Sequence, residues 1–189
     1  MGMISQGVKT SAGRLFGINR IYGADGDHET VYMTRLWFGR LRLHLFQRGD
    51  ADPDCHDHPW GFWTFPLRSY VEEVLEGCVE TIPHRDGHVT RRPYCERHDR
   101  VVKAFCWHYR PATHTHRVLG VFAGWWIDQE AWRDCPLYRP VGLIPTIVWR
   151  DAPSRAWGFT KERAGRWCWT PWKTYVFDGG KSAPCEEQE

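Results

Sequence analysis

Apolar and polar residues alternate most strictly in Arg40-Leu41-Arg42-Leu43-His44-Leu45. A period of two places successive side chains on opposite faces of a strand. The pattern predicts that Leu41, Leu43 and Leu45 face a core, with Arg40, Arg42 and His44 on the other side. Gly39 separates this strand from Val31–Phe38, so Thr30–Phe46 reads as a strand pair. Further strand signals follow at 55–58, closed by Pro59, and at 62–67, 70–76, 101–109, 113–119, 143–149 and 167–177. The polar stretch 83–99 reads as a loop or an exposed hairpin. Residues 120–140 read as a Trp-rich insertion, with a short helix expected to start near Asp128. No internal repeat and no sustained 3.6-residue period is present. Many short strands joined by Gly and Pro turns predict an all-β sandwich or barrel.

Length and composition narrow this picture. A chain of 189 residues suits one domain. The expected organisation is an N-terminal arm over 1–29, a β-barrel domain over 30–177 and a flexible C-terminal tail over 178–189. Twelve Trp, nine Phe and seven Tyr favour strands and wide interiors, with Trp60, Trp63, Trp107, Trp149 and Trp157 expected in the core. A net charge of +2 is too balanced for a nucleic-acid footprint. No apolar run has the length of a membrane span and no secretion signal is visible. Seven Cys, an odd number without a CxxC pair, argue for reduced thiols and a cytoplasmic location rather than a disulfide framework.

The chemistry concentrates in two segments. In Cys55-His56-Asp57-His58-Pro59-Trp60, His56 and His58 share a face if the segment is extended, and two imidazoles so spaced can hold one metal ion. In Pro111-Ala112-Thr113-His114-Thr115-His116, His114 and His116 share a face in the same way. Asp57 and Cys55 would point away from the metal, Asp57 into a supporting hydrogen bond and Cys55 as a small buried residue. Arg110, Arg117 and Arg155 could each hold a carboxylate through a bidentate contact, the alternative being solvated surface charge. His28, His44, His84, His88, His98 and His108 are expected at the surface or satisfied in the core.

These segments resemble the two motifs of the cupin superfamily: His-x-His followed by Glu and Gly, then Pro-x-Gly-x-x-His. His56, His58 and His116 match. Position 62, where the Glu often stands, is Phe62, and the Gly of the second motif is Thr113. The His-Asp-His-Pro-Trp run, the later Tyr-x-Glu at Tyr70–Glu72, Pro111-Ala112 and Trp157-Gly158-Phe159 resemble a group of bacterial and phage cupins over residues 40–177. More distantly, the chain is similar to thiol dioxygenases, which lack the motif Glu and bind Fe(II) through three His. The resemblance implies a cupin-type double-stranded β-helix, a jelly-roll barrel. It implies one divalent metal ion on His56, His58 and His116, with Glu72, His114 or water as fourth ligand. The likeness to thiol dioxygenases puts Fe(II) first; ligand type alone does not select among Fe, Mn, Ni and Zn, since imidazole serves them all. The function implied is Fe(II)-dependent oxygenation of a small molecule, with Arg68 or Tyr70 orienting an anionic substrate; no catalytic residue is assigned. The alternatives are a non-catalytic cupin that binds a metal or small ligand, and a His cluster that stabilises the barrel. Cupins often pair by strand swapping, which allows a homodimer.

Overall fold

A computed structural model describes residues 3–10, 13–23, 30–83, 89–128 and 133–185. The chain reverses at Gly39, whose φ of +55° lies in the left-handed region that glycine adopts without a Cβ penalty. In chain order the strands are β1 (Met3–Thr10), β2 (Gly13–Ile21), β3 (Met33–Phe38), β4 (Leu41–Arg48), β5 (Cys55–His56), β6 (Phe62–Pro66) and β7 (Tyr70–Pro83). They continue with β8 (Val89–Val102), β9 (His108–Arg110), β10 (Thr115–Asp128), β11 (Arg133–Arg139), β12 (Val141–Arg150), β13 (Gly158–Arg163) and β14 (Arg166–Pro171). One six-residue helix, α1 (Trp172–Phe177), follows.

The fold is nearly all β, as expected. One antiparallel sheet has the order β1-β2-β3-β4-β12-β6-β9. The other has the order β14-β13-β5-β10-β7-β8, with β11 on β10. The curled sheets form a half-barrel. Tyr70, Val102, Val118 and Val121 of the second sheet meet Ile144 of the first in one buried cluster. Ile21, Tyr32 and Met33 form another, and Phe46 packs against both.

The strand over Leu41–Leu45 forms as the alternation predicts, but its faces are reversed. Arg42, His44 and Phe46 line an interior cavity, whereas Leu41 is exposed and Leu43 and Leu45 are half-buried. The inner wall of this sheet is polar, so hydrophobicity alone picks the wrong face. The same reversal moves three tryptophans out of the core. Trp63, Trp107 and Trp149 are 45%, 54% and 47% exposed, and Trp149 opposes Trp63 on the outer side of the sheet.

Three other expectations are corrected. The arm over 1–29 contributes β1 and β2, which extend the first sheet through β3. The 120–140 insertion is a β10–β11 hairpin, and residues 129–132, where the helix near Asp128 would run, lie outside the described residues. The last aromatic strand ends at Pro171, and Trp172–Phe177 is helical.

The tail after residue 177 is held as far as Cys185. The Tyr175 hydroxyl lies 2.6 Å from Asp52 Oδ1 and 2.8 Å from Asp54 Oδ2. Lys181 donates to Asp52 and Arg163 to Asp54. Lys161 and Arg163 donate to backbone carbonyls of Gly180, Ala183 and Lys181. This docking brings Cys185 to Cys168, and the two form a disulfide with Cα atoms 5.6 Å apart. Composition suggested a flexible tail and reduced thiols because neither the acids that receive the tail nor this proximity is local in sequence. No helix among the described residues is long and apolar enough to cross a membrane.

Tyr175→Phe removes the hydroxyl between two buried carboxylates. Chemical denaturation is expected to show a loss of about 1–3 kcal/mol, the scale of an unmade buried hydrogen bond. An unchanged midpoint would show that the hydroxyl does not anchor the tail.

Candidate metal centre

β5 is only two residues long, yet it sits between two partners. His56 is opposite His116 on β10 and opposite Phe159 on β13. Asp57 then turns outward, and its carboxylate accepts from the Gly158 N–H at 2.7 Å, Arg155 at 2.6 Å and the Trp169 indole at 3.0 Å. Gly158 has no room for a Cβ, which would meet the Thr170 carbonyl. The supporting role expected of Asp57 is therefore the one observed: it pins the exit of β5 against β13 and β14. His58 follows, its backbone N–H donating to Ala112 at 3.1 Å, and this fixes the two motif segments side by side.

The three imidazoles meet. Ring centroids are 5.2 Å apart for His56–His58, 5.5 Å for His56–His116 and 5.2 Å for His58–His116. One ligand atom from each lies within 4.8 Å of the others. Nε2 of His58 is 3.0 Å from Nε2 of His116. Two imidazole nitrogens come this close by sharing a proton, or by sharing an ion about 2.0–2.1 Å from each.

Glu72 is fully buried on β7. Its Oε2 is 2.7 Å from His116 Nδ1. An N–H donated there leaves Nε2 of His116 as the lone-pair atom facing the other two histidines. Its Oε1 accepts from Arg100 Nε and Nη2 at 3.0 and 2.6 Å and from Arg110 Nη2 at 2.9 Å. Glu72, His114 and His116 form a second group of potential ligands that shares His116 with the first. His114 Nε2 lies 3.7 Å from Glu72 Oε1.

Burial governs the protonation of these groups. It lowers His56 to about 3, helped by the charges of His116, Arg35 and His114. It also lowers His58 well below the ordinary imidazole range, helped by its histidine neighbours and Arg35. For His114 burial outweighs the hydrogen bond to Glu72 and leaves it at about 4. Burial alone would raise Glu72, but hydrogen bonds from His114 and His116 and the charges of His116 and Arg110 hold it well below the carboxylate range. The result is an ionised Glu72 carboxylate beside neutral His56, His58 and His114, and neutral imidazole is the form that binds metals. Cys55 is buried, 3.4 Å from a Glu73 oxygen, and burial pushes its thiol up, away from reactivity.

Two cavities, of about 90 and 140 Å³, adjoin the cluster, and His56 and His58 line both. Tyr70 lines the first as expected. Arg68 does not; it is exposed and donates to the Leu143 carbonyl. The arginines expected to hold carboxylates hold the protein's own: Arg110 on Glu72, Arg117 on Glu73 and Arg155 on Asp57. Sequence reasoning missed Arg35, Arg42, His44, Thr146 and Arg150, which all line the first cavity. For Arg42 and His44 the signal is the polar face of β4, which alternation places opposite the leucines. His28, His84 and His88 lie outside the described residues. No family model matches the chain, and no curated protein matches it.

The pH dependence of folding follows from the buried neutral histidines. The unfolded chain binds protons at His56 and His114 near 6.5, the folded chain only near 3 and 4. Between those limits the unfolded state holds more protons, so acidification favours unfolding. Thermal melts in chelator should therefore be level above about pH 7 and fall steadily from about pH 6 toward 4. A rising Tm over that window would contradict the buried, neutral state.

Proposed function

We propose that this chain is a cupin whose half-barrel carries one divalent metal ion on His56, His58 and His116, and that it acts on a small molecule in the adjoining cavity. One observation carries the reading: the two imidazoles of the His56-Asp57-His58 segment and that of His116 on β10 converge beside a cavity, with two Nε2 atoms 3.0 Å apart. The His-x-His pair, with His56 ending β5 and His58 just after it, and the third histidine on β10, within two curled antiparallel sheets, support the cupin assignment. In this reading Glu72 is not a ligand. Both its oxygens already accept from cationic or imidazole donors, and it orients His116 as carboxylates orient metal-bound histidines elsewhere.

Three protein ligands leave positions open for water and substrate, which suits catalysis better than a closed structural site. Fe(II) is the ion proposed, with Mn, Ni and Zn as the alternatives, and the reaction is oxygenation. In such a site Fe(II) supplies dioxygen activation. The protein holds His56 and His58 neutral, fixes His116 through Glu72, and shields the site with Phe62, Trp157 and Phe159, whose rings pack on His56 and His58.

Elemental analysis of protein purified without added metal should find about one divalent ion per chain, the stoichiometry of a single site. The double variant His56→Ala with His58→Ala should lose it while keeping a strand-dominated circular dichroism spectrum. Full occupancy in that variant would overturn the centre.

Glu72→Gln separates the two roles of the carboxylate. Loss of an orienting partner weakens metal binding about 10–100-fold without abolishing it. Complete loss of the ion at saturating metal would instead make Glu72 a ligand. Oxygenation is tested by loading Fe(II) anaerobically, admitting air and following dioxygen with an electrode. Uptake should depend on added substrate, with cysteine and cysteamine tried first.

A further inference from the structure

The cavity beside the three histidines carries more positive charge than its walls neutralise. Arg35 on β3, Arg42 on β4 and Arg150 at the end of β12 all line it. Strand register explains their convergence. Arg35 opposes His44, which opposes Thr146; Arg42 opposes Val148; Arg150 opposes Phe62. Directly opposed residues share a face of the sheet, and this face looks toward His56, His58 and His116.

Among the described residues none of the three guanidiniums meets a carboxylate. Arg35 Nε lies 3.1 Å from His44 Nε2. Arg42 donates to the carbonyls of Gly39 and Leu41 at 2.6 and 2.9 Å. Arg150 donates to the Asp151 carbonyl at 3.0 Å and stacks 4.7 Å from the Trp60 ring centroid. Elsewhere the chain pairs Arg110, Arg117, Arg155 and Arg163 with acids. A second observation is independent of charge. Arg150 Nε and Thr146 Oγ1 are buried polar atoms without a hydrogen-bond partner, and both residues line this cavity. Orphaned buried donors are costly unless a ligand or water completes them. The three arginines also feel one another: burial first, then the charge of Arg150, lowers both Arg35 and Arg42.

Planar guanidiniums match the oxygens of carboxylates and phosphates. The rest of the wall is apolar, with Met33, Phe46, Phe62 and Val118 among its residues, which favours an acid with a short carbon body over an inorganic ion. We propose that the cavity binds a small organic acid, its carboxylate taken by Arg35, Arg42, Arg150 and Thr146 and its body turned toward the three histidines. This inference rests on the three-histidine reading for the reaction, but its binding step can be tested separately.

The test uses the purified protein and reads tryptophan fluorescence, since Trp60 stacks on Arg150. Butyrate and succinate are titrated against butyramide, inorganic phosphate and matched sodium chloride. The acids should saturate the signal, and the amide and chloride should not. Arg35→Gln and Arg150→Gln should each weaken acid binding about ten- to a hundredfold, the scale of a lost charged hydrogen bond, with metal content unchanged. A measurement without variants guards against misfolding: succinate should protect Arg35, Arg42 and Arg150 of the wild-type protein from phenylglyoxal, mapped by mass spectrometry, and leave exposed Arg68 reactive. Equal binding of acid and amide, or absence of protection, would overturn the proposal. Binding of phosphate as tight as that of the acids would overturn the organic-acid assignment. Metal bound without acid binding would sink this inference alone; acid binding without metal would sink the three-histidine reading alone.

Discussion

One buried carboxylate joins the two sheets and the candidate centre. Glu72 is 0% exposed, and an ionised group at that depth persists only with partners that replace its water. Arg100 comes from β8 and His116 from β10 in its own sheet; Arg110 comes from β9 in the other. Satisfying this charge therefore sets where β9 lies against β7 and which nitrogen of His116 faces the histidine cluster. Removing one partner would leave an uncompensated charge rather than merely a lost contact, which is why packing at this point tolerates little change.

Around the strands of the second sheet acids and bases are matched: Glu72 with Arg100 and with Arg110, which reaches across from β9 of the first sheet, Glu73 with Arg97 and Arg117, and Asp54 with Arg163 on β13. These closed pairs rigidify the strands that carry His56 and His116. On the inner face of the first sheet Arg35, Arg42 and Arg150 meet no carboxylate among the described residues, and burial keeps the nearby His56 and His58 neutral. Arg35 contributes to lowering both His56 and His58. The imidazoles of His56, His58 and His116 thus face a cationic wall across the cavity.

The outer surface carries the complement of this design. With polar residues turned inward on β4 and β12, alternation turns Leu41, Trp149 and Trp63 outward. Polar residues on the inner face thus leave an apolar outer face, the inverse of an ordinary half-solvated sheet.

By itself the sequence determined the local structure and the chemical vocabulary. Alternation in Arg40–Leu45 sets a strand, Gly39 sets the turn, and His56-Asp57-His58 with His116 names the residues that meet, because side-chain period and backbone propensity are local properties. Tertiary structure decided which face is inside, since a strand with leucines on one side and Arg42 and His44 on the other reads equally as either until the opposing wall is known. It decided that Glu72 stands behind His116, because β7–β10 register and the arrival of Arg110 from the other sheet are encoded far from Glu72. It decided that residues 178–185 dock, because their receptor, Asp52 and Asp54, lies more than a hundred residues earlier. Pairing of charges across such distances depends on the closed fold, and no local pattern carries it.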